Sequence, residues 1–397
     1  MARHFRTIII GRGLMGSAAA RHLSGMEDGV AVVGPDEPAD KAAHTGVFGS
    51  HYDEGRITRT IDRDPVWARL ASRSIARYRD IERESGIDFF GEVGALIVGP
   101  GRAQGRYVET IMEAADACGA AAEIVNQARL ARSFPYFSFA PETEGVYEPK
   151  HAGHISPRRL VAAQSALAAK NGATVIAATG TDVTDDGGRV SVTTETGETL
   201  TSDRVLVATG GFTIDERLLP ARIDLKVFAR TVAYFEVDED EAAALSAMPS
   251  LIYKASFDED GIYLLPPIRY PDGRWYLKIG GDPDDVPLGS EAEVRAWFRA
   301  RGRGAAREHL TRIICELMPR LRVLQSETGT CVTSYSPSGY PMIGFSPSPR
   351  IAVLTAGCGA AAKSSDEIGR LGALLMHHGS IESEGYQSDF APSFQRA

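Results

Sequence analysis

Gly11-Arg12-Gly13-Leu14-Met15-Gly16 stands between an apolar run, Thr7-Ile8-Ile9-Ile10, and a stretch of small residues that starts Ser17-Ala18-Ala19-Ala20 and reaches Leu23. A second apolar run, Val30-Ala31-Val32-Val33, stops at Gly34-Pro35. Strand, glycine turn, helix and strand within about thirty residues is the order of a βαβ unit. Gly11 makes the tight turn and Gly13 lets the backbone approach a pyrophosphate. Gly16 lets helix and strand pack closely, and the helix N-terminus adds partial positive charge. The spacing therefore predicts a dinucleotide site, with Leu14 and Met15 in the phosphate turn. The acidic residue that normally ends the second strand and binds ribose is absent, because Gly34 stands there. Asp36, Glu37 or backbone groups are left for that role. The turn alone does not separate FAD from NAD.

With 397 residues the chain is too long for one ordinary domain, and 43% hydrophobic against 24% charged residues excludes general disorder. A net charge of −9 argues against a nucleic-acid partner. The four cysteines form no CxxC and are too scattered for a disulfide framework. No stretch approaches the roughly 18 apolar residues of a spanning helix. The N-terminal apolar run is three isoleucines, a short strand and not a signal-peptide core. The expectation is a cytoplasmic protein with no membrane partner.

Periodicity predicts helices over Asp64–Ser85, Arg158–Lys170, Ser290–Met318 (broken at Gly302 and Gly304) and Ser365–Gly379. Strands are expected at 94–99, 174–176, 190–193, 204–207, 225–237, 251–279 and 351–355, with turns at Asp258–Gly261 and Pro271-Asp272-Gly273. The βαβ signal opens the chain and matching features recur near 205 and 351. The fold class is therefore α/β: a Rossmann-like nucleotide domain, discontinuous over 1–85, 147–222 and 325–397, interleaved with a strand-rich domain over 86–146 and 223–324. His151 and His154 lack a third ligand at metal spacing, so no metal site is expected. The arginines between Arg295 and Arg312 read as a solvated helix face.

Val205-Leu206-Val207-Ala208-Thr209-Gly210-Gly211 is an apolar strand ending in Ala-Thr-Gly. Here the chain resembles the FAD-dependent oxidoreductases of the D-amino-acid-oxidase superfamily, and more narrowly monomeric sarcosine oxidase and N-methyltryptophan oxidase. The likeness runs over nearly the whole chain and implies the glutathione-reductase-like FAD/NAD(P)-binding fold. Gly49-Ser50-His51-Tyr52-Asp53-Glu54-Gly55-Arg56-Ile57-Thr58-Arg59 is similar to the family's Gly-Ser-His…Arg-x-x-Arg stretch. The resemblance implies that Arg56 lies by the flavin and Arg59 binds a substrate carboxylate. Two arginines three apart beside a nucleotide fold make a plausible anion site on physical grounds also. Leu277-Lys278-Ile279-Gly280 is similar to a family segment whose lysine promotes reaction with O2; a fixed cation stabilises superoxide. Thr330-Cys331 looks like the site of covalent flavin attachment, and Gly359-Ala360-Ala361-Ala362-Lys363 corresponds to a Gly-x-Gly-x-Lys region whose lysine is a second carboxylate ligand. The resemblance also implies flavin contacts at Ser50, Val183, Gly210 and Gly359. The bland reading of Cys331 is a small buried hydrophobe.

Three positions depart from the sarcosine enzymes: Thr333 replaces a tyrosine, Asp282 a histidine, and Leu264, preceded by Tyr263, a further tyrosine. The implied carboxylate clamp is kept while the amine side of the pocket changes, which puts sarcosine itself in doubt. Asp282 either attracts a second cationic group on the substrate or points away. The implied activity is oxidation of a secondary (N-alkyl or cyclic) amino acid by a monomeric FAD enzyme that passes electrons to O2. Three alternatives stay open: a flavin dehydrogenase with another acceptor, an NAD(P)-dependent reductase, and a non-enzymatic protein on a retained flavin fold.

Overall fold

The last four residues of strand His4–Ile10 are buried, as a strand covered on both faces requires. In a computed structural model that describes residues 3–41, 43–256 and 261–395, this strand lies inside a sheet. It pairs in parallel with Val30–Val33 on one side and Thr199–Val207 on the other, placing Ile10 between Val33 and Val207. Ile8 and Ile10 enter one hydrophobic core and Ile9 the other, the period-two alternation of a strand. Strand Ile351–Thr355 returns to pair in parallel with Thr199–Val207. Among the described residues this sheet has eight strands, drawn from residues 4–33, 174–207 and 342–355.

A second sheet has nine strands among the described residues. Its centre is the long strand Lys226–Val237, paired with Trp275–Gly280 and with Gln325–Tyr335. Gln325–Tyr335 thus belongs to the second sheet, so the boundary expected at residue 325 falls at the edge of a strand of the neighbouring unit. A small third sheet joins Arg56–Thr58, Gly153–Ile155 and Phe90–Gly91. The expected turn at Asp258–Asp260 lies outside the described residues. No helix among those described is long and apolar enough to cross a membrane, and no group of three or more metal-ligating side chains is present among them.

The helix expected over Asp64–Ser85 is two helices, Pro65–Ile75 and Tyr78–Ser85, broken at Ala76–Arg77. At the break the Arg77 N–H donates to the Ser74 carbonyl at 3.1 Å, a three-residue step. Arg77 turns its guanidinium into the last helix, Ala361–His378, where it meets Asp366 at 2.5 Å and Glu367 at 2.7 Å. Asp366 is fully buried and also accepts from Arg21 at 2.7 Å, Gln164 at 2.8 Å and His22 at 3.2 Å. Helices Leu14–Ser24 and Pro157–Lys170 are therefore tied to the last helix through one carboxylate. Burial opposes its ionisation, but the adjoining cations hold its pKa well below the usual carboxylate range.

Candidate active site

The glycine turn has the geometry its spacing requires. Gly11 lies at φ +104°, and a Cβ there would strike the Ala208 backbone. A Cβ on Gly16 would overlap the Gly11 carbonyl, whereas at Gly13 it would meet only His51 Nδ1 at 3.8 Å. Gly13 is the N-cap of helix Leu14–Ser24 and brings no capping side chain, so the helix's first N–H groups keep their capacity for an anion. Gly11–Met15 line a large cavity whose other walls come from Val47–Tyr52, Thr179–Thr181, Ala208–Phe212, Cys331–Ser334 and the 357–362 segment. The prediction that follows is that Gly16→Val yields a colourless protein, because the added side chain separates helix from strand at the phosphate turn; absorbance of the purified variant checks it.

Gly34 is also explained: a Cβ there would overlap Arg12. Arg12 donates to the Pro35 carbonyl and pairs with Asp36, while Glu37 is held by Arg158 at 2.6 Å and Lys41 at 2.9 Å. Neither carboxylate considered for ribose lines the cavity. Ser50, Gly210 and Gly359 do line it. Val183 is buried in the core instead, and its N–H already donates to the Arg217 carbonyl at 2.9 Å.

Strand Gln325–Tyr335 delivers Cys331 and Thr333 to the cavity wall. Cys331 Sγ lies 3.6 Å from an Arg56 guanidinium nitrogen, and Trp297 donates to the Cys331 carbonyl at 2.8 Å. The Thr333 hydroxyl is buried without a hydrogen-bond partner, an orphan that a polar ligand edge can satisfy. Phe48 and Phe212, both on the wall, stack on Phe298 with ring planes 14° and 13° from parallel. Sequence reading missed these three rings, which no motif marks. The uncapped helix start, the glycine cradle, the orphan hydroxyl and the flat aromatic surfaces together fit a flavin dinucleotide.

Two charged clusters lie behind this wall. In the first, Lys278, only 1% exposed, pairs with Asp53 and donates to the Gly55 carbonyl at 2.9 Å. Asp53 also pairs with Arg56 and accepts from Tyr270 at 2.9 Å. Burial pushes the Lys278 ammonium well below the usual lysine range, and the Arg56 charge adds to that. Arg56 reaches the cavity; Lys278 and Tyr263 stand one layer back, with the Lys278 nitrogen 5.8 Å from the Tyr263 ring centre. Burial raises the Tyr263 phenol to about 12, so it stays protonated. Asp53 was not singled out from the sequence, although Asp53-x-x-Arg56 is an acid–base pair at close spacing.

In the second cluster Arg59 and Lys363 meet around Asp62, and none of the three lines the cavity. The Asp62 carboxylate accepts from Arg59 at 2.9 Å and from Lys363 at 3.1 Å. Burial lowers Lys363 to about 8, against the pull of Asp62. Asp282 stands apart from both clusters. Its side chain is 1% exposed, accepts from the Thr231 N–H at 2.9 Å and pairs with Arg303, so its carboxylate is engaged away from the cavity.

Comparison with known proteins agrees with this arrangement. A family model described as FAD dependent oxidoreductase matches residues 6–375. The chain is 25% identical to monomeric sarcosine oxidase of Bacillus sp. (strain NS-129) over 401 residues, covering 97% of this chain and 96% of the relative. Among solved structures, NikD, an amino acid oxidase of nikkomycin biosynthesis, superposes with a TM-score of 0.77 at 20% identity, covering 100% of this chain and 99% of the other. L-proline dehydrogenase from P.horikoshii superposes with a TM-score of 0.74 at 16% identity, covering 96% of each chain. These two likenesses are of fold. The family match extends over nearly the whole chain and includes the glycine turn and the returning strand: the chain belongs to the DAO family of FAD-dependent oxidoreductases.

Proposed function

We propose that the protein oxidises the C–N bond of a secondary amine or amino acid, giving an imine that water converts to a carbonyl compound and an amine, with O2 reduced to hydrogen peroxide. The observation that carries this reading is the Lys278–Asp53–Arg56 cluster, two cations sharing one carboxylate with Arg56 at the cavity wall. Bound FAD supplies the two-electron acceptor. Gly11–Met15 and the helix start hold its pyrophosphate, Thr333 and Ser50 face the cavity with polar groups, and Cys331 is the residue for covalent attachment. The excess positive charge of the cluster favours reduction of O2, which builds negative charge. Arg59 and Lys363 hold the substrate end remote from the nitrogen and so fix the reacting carbon.

The relatives favour this class of substrate: one is named a sarcosine oxidase and a fold neighbour an amino acid oxidase. A second reading, a dehydrogenase with a different acceptor, is favoured by the place of Lys278 behind the wall. The test is a panel of N-methyl and cyclic amines and amino acids, followed by flavin bleaching without air and peroxide release with it. Bleaching without peroxide selects the dehydrogenase; no bleaching by any amine overturns both. For Cys331, acid precipitation of the unaltered protein is expected to leave the flavin in the pellet, and Cys331→Ala to release it to the supernatant. Flavin retained by the variant would move the attachment elsewhere.

A further inference from the structure

Arg59 and Lys363 are both largely buried, and a carboxylate of the chain itself lies between them. Asp62 uses one oxygen for both cations and the other for the Asp64 N–H at 3.2 Å. The segment that carries it is fixed independently. Buried Glu148 accepts from the Thr60 N–H at 3.0 Å, the Ile61 N–H at 3.2 Å and the Thr60 hydroxyl, while Arg59 donates to the Ile61 carbonyl. A loosely held acid could swing aside for an incoming anion, but Asp62 is pinned from three directions. Asp62 already occupies the space between the two cations, and burial raises the pKa of the Glu148 carboxyl nearby. Another carboxylate would have to share that space with Asp62, and two carboxylates crowded into one buried site disfavour each other's charge. What stays unfilled is a donor: Arg59 Nε is buried without a hydrogen-bond partner.

From this arrangement we propose that Asp62 is the resident counter-ion of the cation pair and a specificity-determining residue. It fills the place an amino acid carboxylate would take, so the amine oxidised carries a neutral acceptor there, an amide or hydroxyl oxygen. This rests on the reading that Arg59 and Lys363 hold the far end of the substrate.

The experiment compares acetate with acetamide as ligands of the flavin-loaded protein, read from perturbation of the flavin absorption, for the unaltered protein and Asp62→Asn. The unaltered protein is expected to bind acetamide at least tenfold more tightly than acetate. Asp62→Asn is expected to reverse that order, with acetate gaining tenfold or more. Tighter acetate binding by the unaltered protein, or an unchanged ratio in the variant, overturns the proposal. If Asp62→Asn does not fold, Asp62→Ser takes its place, and the ratio in the unaltered protein decides by itself if neither folds. These ligands undergo no oxidation, so a protein that oxidises no amine still answers the question, and a failure here leaves the amine-oxidase reading standing. Where oxidation occurs, kcat/KM for N-methylglycinamide over N-methylglycine is expected to follow the same order.

Discussion

On the proposed oxidase reading, Lys278→Met is expected to slow the return of electrons to O2 by about 10²- to 10³-fold, the usual effect of removing one preorganised charge from a developing anion. Flavin reduction by the amine without air changes only a few-fold, since Lys278 does not line the cavity. The variant stays folded because Asp53, the partner left behind, keeps Arg56 and the Tyr270 hydroxyl. Stopped-flow reduction and reoxidation separate the two half-reactions. A reoxidation rate unchanged by the substitution would remove Lys278 from the oxygen chemistry.

Asp366→Ala destabilises the protein by about 3–5 kcal/mol, the range for breaking a buried ion pair from one side. Arg21 and Gln164 lose this acceptor together, Arg77 is left with Glu367, and Arg21 already has a buried Nε without a partner. Urea unfolding at neutral pH measures the loss. The pH dependence has a definite sign. A carboxyl with a depressed folded-state pKa stabilises above its unfolded pKa of about 3.9, and the contribution disappears as pH falls toward the folded value. The difference between Asp366→Ala and the unaltered protein therefore narrows on acidification below that range. A constant difference would place the network's effect in packing alone.

Much of the cofactor side was legible because backbone geometry limits the residues that can stand there. Gly11 and Gly16 sit where a Cβ collides with backbone, so the chemistry of the turn is written as an absence of side chains. Parallel strands covered on both faces likewise read as unbroken apolar runs. The substrate side depends on pairings made across the fold, and there single residues misled. Asp282 has the chemistry of a ligand for a cation, but its cation is Arg303, brought to it by a short strand and one helix. Arg77 is an unremarkable residue of a helical pattern until Asp366, 289 positions later, accepts from its guanidinium. Asp53 and Asp62 carried a usable signal, since each lies three residues from an arginine, but a carboxylate next to a cation on a surface looks the same in sequence.

The cavity is lined from Ile10 to Ala362. Strand Ile351–Thr355, just before the last lining segment, joins the first sheet, and helix Ala361–His378 carries the carboxylate that binds helix Leu14–Ser24. About 350 residues of chain separate Gly11 from Ala362, which at roughly 5–20 residues per second is on the order of twenty to seventy seconds of synthesis. The nascent phosphate turn therefore leaves the ribosome well before the closing walls of the cavity, which is complete only once the 357–362 segment has followed. Truncation from the C-terminus would then cost flavin loading before it touched any residue of the glycine motif.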